Sequence, residues 1–502
     1  MPTFRPTLAA ALIVLSSVVA ASLAALIVGQ LSVASLSFAP VAAAAIVALL
    51  FAWRAPEGLV AFGIFALLAE TIEHWLGVDL LLFDEVAIGL MTAAVLVVHG
   101  LPKDRLRLGI SEVALLVLVA AAVMSSILGG VPTLTWLAAL SLLVKAILLF
   151  YLISFLRLSI RDVERMGAII VGFALAIGVL GLVELVNPAA FQDALNLPPF
   201  EGVRGDVSVV RAIFLHPAQF GWITAFGSLL LYARFIVRRT WWALPLAVAL
   251  NVGTLVSGRR TPVLGILAGL ATAMLWQFRR LGSGRGLLRT WLPVGAAIAL
   301  LAALSVPALG GFYRTTLAQY LPPASQIEEI FAEEPDALAL STLQPRTALY
   351  LASIAIARDH LPFGVGLGRF GSHLSREDYS PVYEEYGLHR IYLLSPKNPV
   401  AVTDAYWPMV LGETGIIGLG AALTFFGSLF VTLWRNAGAA TSPEGRAIAV
   451  GIMLVFVEGL VRSLTSSVFV APPIAYFVLG AAGLSIAMRR TSEETAEAEL
   501  NV

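Results

Sequence analysis

The chain has no cysteine, which excludes disulfides, thiolate metal sites and cysteine nucleophiles. Charge is scarce too. Asp, Glu, Lys and Arg make up 13% of the 502 residues, against about 25% in an ordinary soluble domain. Lysine is nearly missing: Lys103, Lys145 and Lys397 are the only three, and the other 29 of the 32 basic residues are arginines. The 32 acidic residues balance them, so no excess charge points to nucleic acid or to a polybasic anchor. What is abundant is apolar: 59% hydrophobic residues and a mean hydropathy of +0.89. No water-soluble core needs that much, so the composition predicts an integral membrane protein with a lipid-facing surface as well as a packed interior. Soluble enzymes, disordered chains and coiled coils are excluded, and long apolar runs in place of short alternating ones exclude a β-barrel.

Runs of the length that spans a bilayer recur near 8–29, 32–53, 58–76, 80–99, 110–130, 133–156, 166–186, 213–234, 241–257, 261–278, 290–310, 405–433, 446–463 and 467–488. The fold class is therefore all-α, a polytopic membrane helix bundle of about 12–14 transmembrane helices with one large external helical loop. The boundaries read as a first bundle part over 1–310, a cap loop over 311–404, a last bundle part over 405–490 and an acidic cytoplasmic tail over 491–502, expected to be disordered. With the N-terminus inside, 19 basic residues fall on cytoplasmic connections, from Arg5 and Arg54 to Arg489 and Arg490, as the positive-inside rule asks. Both termini are then cytoplasmic. Within the cap loop, Ala324–Leu340 and Arg346–His360 carry helical spacing, and Gly364, Gly366, Gly368 and Gly371 break the chain into turns.

Lys145 lies within a span, and twelve basic residues fall on the external side against the trend. They need a structural partner or an anion. Arg211, followed by His216-Pro217, ends an external loop, and an arginine there holds a phosphate oxygen well or else snorkels to water. Ser257-Gly258-Arg259-Arg260-Thr261-Pro262 is a tight external turn whose glycine and helix start suit an anion site. Arg346 opens a helical segment that runs to Pro362 and the glycines. Those glycines lack the Lys-Ser/Thr of a phosphate loop, so a structural turn is the better reading. Asp404 sits where the loop re-enters the membrane, as a general base or a helix N-cap. Glu413 lies inside the following span, where a carboxylate is expensive. Glu458 and Arg462, four apart, read as an ion pair. His74 with Glu70, Glu73 and Asp79 matches no metal-ligand spacing, and no motif calls for a metal or an organic cofactor.

Four of these pieces, taken together, resemble the bacterial O-antigen ligase and O-antigen polymerase superfamily, polytopic glycosyltransferases acting on undecaprenyl-diphosphate-linked glycans. The pieces are Arg211 with His216-Pro217, the Ser257–Thr261 turn, Arg346 with the Pro362–Phe370 glycine stretch, and Asp404–Gly418 with its Glu413-Thr-Gly-Ile-Ile-Gly418 run. The resemblance implies a metal-independent, inverting transfer from a polyprenyl-diphosphate-linked glycan donor to a hydroxyl of a glycan or lipid-linked acceptor, in contact with membrane lipid. It implies the bacterial inner membrane as the location. It assigns Arg211, Arg259, Arg260 and Arg346 to the diphosphate, with His216 and Glu413 in support. One position departs from the pattern: the family's histidine, nine residues before the glutamate, is Asp404 here. His373 and His389 in the same loop are the other candidate bases. The competing expectation is a transporter or flippase of a lipid-linked glycan or small anion, for which Lys145 and Asn251 are the midspan polar candidates.

Overall fold

The computed structural model describes residues 38–80, 82–99, 109–199, 203–204, 207–281, 288–301, 303 and 344–500. Among the described residues the regular structure is helical apart from two two-residue strands, β1 (Val203–Arg204) and β2 (Val207–Ser208), paired antiparallel. The helices are α1 (Phe38–Trp53), α2 (Ala55–Leu76), α3 (Phe83–His99), α4 (Ile110–Leu128), α5 (Thr133–Phe155), α6 (Ile160–Val186), α7 (Pro188–Ala194), α8 (Pro217–Arg238), α9 (Ala243–Val256), α10 (Arg260–Leu281) and α11 (Leu288–Leu301). After them come α12 (Pro345–Asp359), α13 (His373–Glu377), α14 (Val382–Glu385), α15 (Tyr406–Ala439), α16 (Pro443–Ser463) and α17 (Ile474–Leu500). Each expected span on described residues coincides with one of these helices. The span near 8–29 and the helix over 324–340 lie outside the described residues. Seven described helices are long and apolar enough to cross a membrane, namely α2, α4, α5, α6, α8, α10 and α15.

The two ways of burying apolar surface are visible in single helices. α5 and α8 are buried over most of their spans, with Val144, Phe150, Trp222 and Phe235 fully enclosed. α6 turns Val179, Val183 and Val186 outward, and Val186 is 87% exposed. An apolar stripe of that kind is a liability in water and the expected surface in lipid. The protein is a multi-pass membrane protein.

One helix is broken on purpose. α15 leaves helical geometry at Gly415, where φ is 67°. The carbonyls of Gly412 and Glu413 lose their intrahelical partners there. They accept instead from the N–H groups of Val365 (2.9 Å) and Gly366 (3.1 Å), and the Ser125 hydroxyl also donates to Glu413 O. The segment after α12 is thus wedged between the break in α15 and the end of α4, where Ser126 Oγ accepts from Leu367 N at 3.0 Å. A Cβ on Gly415 would stand 2.1 Å from Pro362 O, so the close approach as well as the positive φ demands glycine. Irregular backbone inside a membrane protein has to be satisfied by protein in this way.

Residues 344–404 build their own small core, with Leu349, Ile356, Phe370, Tyr383, Leu388, Leu394 and Val402 buried together. α12 packs on α15 and ties this unit to the bundle. The tail differs from expectation. α17 runs on to Leu500, and the residues after Arg490 are helical rather than disordered. Arg489 and Glu493 (2.8 Å) and Arg490 and Glu494 (3.5 Å) pair at i,i+4 spacing, which supports the extra turns.

Candidate functional site

Helix ends sort into two groups. At one end of the bundle Arg234 and Arg238 of α8 meet Glu164 of α6 and Glu444 of α16. At the opposite ends of the same helices lie most of the residues singled out by sequence. The Ser257–Thr261 turn brings α9 and α10 together, with Gly258 at φ 63°. α10 starts at Arg260, two residues earlier than Pro262 implied. Thr261 Oγ1 bonds Thr465 Oγ1 at 2.8 Å, and Trp407 Nε1 donates to Ser463 Oγ at 2.8 Å, which docks the turn and the start of α15 onto the end of α16.

His216 caps α8: its Nδ1 accepts from Ala218 N at 3.2 Å. A neutral imidazole that accepts at Nδ1 carries its proton on Nε2. That Nε2 stands 3.2 Å from an Arg259 guanidinium nitrogen. This contact lies at the point where the N-termini of two 22-residue helices, α8 and α10, converge. Helix starts carry partial positive charge and free N–H groups.

Asp404 is on the same side. It is not the N-cap of α15, a place taken by Ala405. Its Oδ2 accepts from Arg346 Nη2 at 2.9 Å, with Arg346 in the first turn of α12. Burial pushes the Asp404 carboxyl up from its ordinary value, while the positive charges of Arg346 and Arg259 pull it back. The structure thus gathers His216, Arg259, Arg346 and Asp404, with Arg260 next in sequence at the head of α10.

The remaining expected residues go elsewhere. Arg211 is buried at 1% exposure, and its guanidinium donates to Pro198 O. Glu184 of α6 accepts from Arg211 N and Ala212 N at 2.9 and 2.6 Å. These contacts make Arg211 a tie between α6 and the loop before α8. His373 pairs with Glu377 (3.3 Å) and lies 3.0 Å from Arg376, on an exposed short helix. His389 Nδ1 lies 3.4 Å from Tyr383 O. Glu413, 2% exposed, is enclosed by the glycine stretch: Phe370 N donates at 3.1 Å, and the N–H groups of Gly368 and Arg369 and the Ser372 hydroxyl complete the cradle. The glycines hold a carboxylate of the protein itself, in the way a phosphate loop holds phosphate.

The midspan polar residues are also paired. Lys145 donates to Asp84 at 2.8 Å and Glu85 at 2.7 Å, and Tyr476 donates to Asp84. Asn251 donates to the Tyr232 hydroxyl at 2.7 Å. Glu458 and Arg462 form the expected pair at 3.6 Å, fully buried. His74 bonds the Asn196 carbonyl at 2.8 Å. Glu184 was missed by sequence reasoning, although a carboxylate inside an apolar run is the same signal that picked out Glu413.

Residues 245–423 match the family model described as O-Antigen ligase. This stretch is similar to the O-antigen ligase family. It covers a little over a third of the chain and contains Arg259, Arg260, Arg346, the glycine stretch, Asp404 and Glu413. Arg211 and His216 precede it. No curated protein matches the chain.

Proposed function

We propose that the protein is a membrane glycosyltransferase that takes a glycan from a polyprenyl-diphosphate carrier and joins it to an acceptor hydroxyl, as a polymerase or ligase of surface polysaccharide. The observation that carries this reading is the convergence of two long helix N-termini on the His216–Arg259 pair, with Arg346 and Asp404 beside it. The acceptor hydroxyl oxygen attacks the anomeric carbon, and the bond from that carbon to the diphosphate oxygen breaks. Negative charge develops on the departing diphosphate, and preorganised positive groups there are the main source of rate. Arg259, Arg260, Arg346 and the two helix starts supply them. The positive charge thus comes from arginines in place of a divalent cation, which fits a metal-independent reaction. Direct displacement inverts the anomeric centre.

Asp404 takes the proton of the acceptor hydroxyl. Arg346 donates to it. A diphosphate competes for that arginine and frees the carboxylate as the donor arrives. Burial keeps the carboxyl a stronger base than an exposed aspartate. Arg211 and Glu413 support the site through packing, and His373 and His389 sit outside the reacting groups. The site faces outward from the bacterial inner membrane, with 311–404 as an external cap and both termini cytoplasmic; the distribution of arginines supports this side. The pairing of Lys145 and Asn251 within the bundle supports the transferase over a transporter or flippase.

The test is the purified full-length protein with a polyprenyl-diphosphate-linked oligosaccharide. Release of polyprenyl diphosphate together with a lengthened or transferred glycan is expected. Movement of the intact lipid-linked glycan across a vesicle membrane without release would overturn the reading.

A further inference from the structure

A cavity of about 600 Å³ opens beside the candidate site, within the size range of small-molecule sites. Its wall includes Gln219, three residues after His216, and Thr403, which precedes Asp404. It therefore begins where the arginine cluster ends. The chemistry of its lining is the reverse of that cluster. Glu70, Glu73, Asp84, Glu85 and Glu377 line it, and its two basic residues are taken up by them: Lys145 is held by Asp84 and Glu85, and His373 pairs with Glu377. Gln219 is 8% exposed. Its Nε2 donates to Glu70 Oε2 at 3.1 Å, while its Oε1 is buried with no hydrogen-bond partner. A buried acceptor without a donor carries a desolvation cost that a ligand can relieve.

Carboxylate oxygens and an amide oxygen are hydrogen-bond acceptors. The cavity thus asks its occupant for hydroxyl or ammonium donors and repels a second anion. We infer that it is the sugar subsite of the candidate active site, and that it selects neutral hydroxylated or amino sugars over carboxylated sugars next to the reacting bond, with Glu70 and Gln219 as specificity-determining residues. The inference rests on the transferase reading above and adds the class of sugar.

Three soluble probes test it on the full-length protein in lipid nanodiscs: methyl glucoside, methyl glucosaminide and methyl glucuronide. Their affinities are ranked by saturation-transfer NMR, and binding of polyprenyl diphosphate alone is read in parallel. The glucosaminide should bind tightest, and the glucuronide about tenfold or more weaker than the glucoside, the loss expected when a charge-assisted hydrogen bond gives way to repulsion. Glu70→Gln, which keeps an acceptor for Gln219, should narrow the spread between amine and acid by about tenfold. Equal affinities, no binding of any glycoside, or an unchanged spread in the variant overturns the sugar subsite. The wild-type ranking decides the question even if the variant fails to fold. Loss of polyprenyl diphosphate binding alone would count against the transferase reading and leave the sugar ranking intact.

Discussion

Asp404 and Glu413 are nine residues apart on one stretch of chain, and the fold treats them in opposite ways. Glu413 is enclosed: backbone N–H groups of the glycine stretch and a serine hydroxyl take up its oxygens, and its own carbonyl receives Gly366 N and Ser125. Asp404 stands at the mouth, more than a third exposed, with one arginine bonded to it and a second nearby. A carboxylate satisfied on all sides by rigid backbone is a structural part. One held by a side chain that an anionic ligand can draw away is a chemical one.

The largest effect is expected at the mouth. Asp404→Asn should lower glycan transfer by about 100-fold or more, the usual worth of a general base, while thermal unfolding in detergent stays close to wild type. A variant as active as wild type would make Asp404 a mere tether for Arg346. Glu413→Ala should do the reverse. It strands several buried N–H groups at about 1–3 kcal/mol each, so the melting temperature falls by many degrees and activity follows the folded fraction. If Glu413→Gln is stable yet inactive, the comparison breaks and Glu413 has a chemical role.

The pH profile sharpens the contrast. Transfer needs ionised Asp404, so the rate falls on the acid side as pH drops through its raised pKa. Arg346 lowers that pKa. Arg346→Gln should therefore move the acid limb to higher pH, visible in the profile of kcat/KM. No movement would remove Asp404 from the base role. The smallest effect belongs to His389→Ala. A histidine that lies beside the Tyr383 carbonyl and does not line the cavity should change transfer by less than about twofold.

Much of this was legible before any coordinates. A run of about twenty apolar residues has few solutions other than a helix, so the described spans lie where the hydropathy puts them. Arginines expected on the external side, against the positive-inside trend, drew attention to the turn at Arg259 and the loop at Arg346, because charge is costly near lipid. The partners were not legible. Lys145 with Asp84, Gln219 with Glu70, and Arg211 with Glu184 are brought together by packing of helices far apart in sequence, and nothing local encodes such a pairing. Arg211 shows the consequence: its residue type and position near the membrane surface read as a phosphate contact, and the fold spends it on a loop. The glycines were legible as a turn, but their role around Glu413 depends on the break at Gly415, which only the docked α15 reveals. In the tail, charge outweighed the i,i+4 pairing that keeps α17 helical.

The central claim is that the convergence of α8 and α10 at His216 and Arg259 binds a diphosphate. Affinity of the purified protein for fluorescent polyprenyl diphosphate, in buffer containing a chelator, measures it directly. The account predicts binding by the wild type and a loss of about tenfold or more for Arg259→Ala, the worth of one charge-assisted contact. Equal affinity of the two proteins would contradict it.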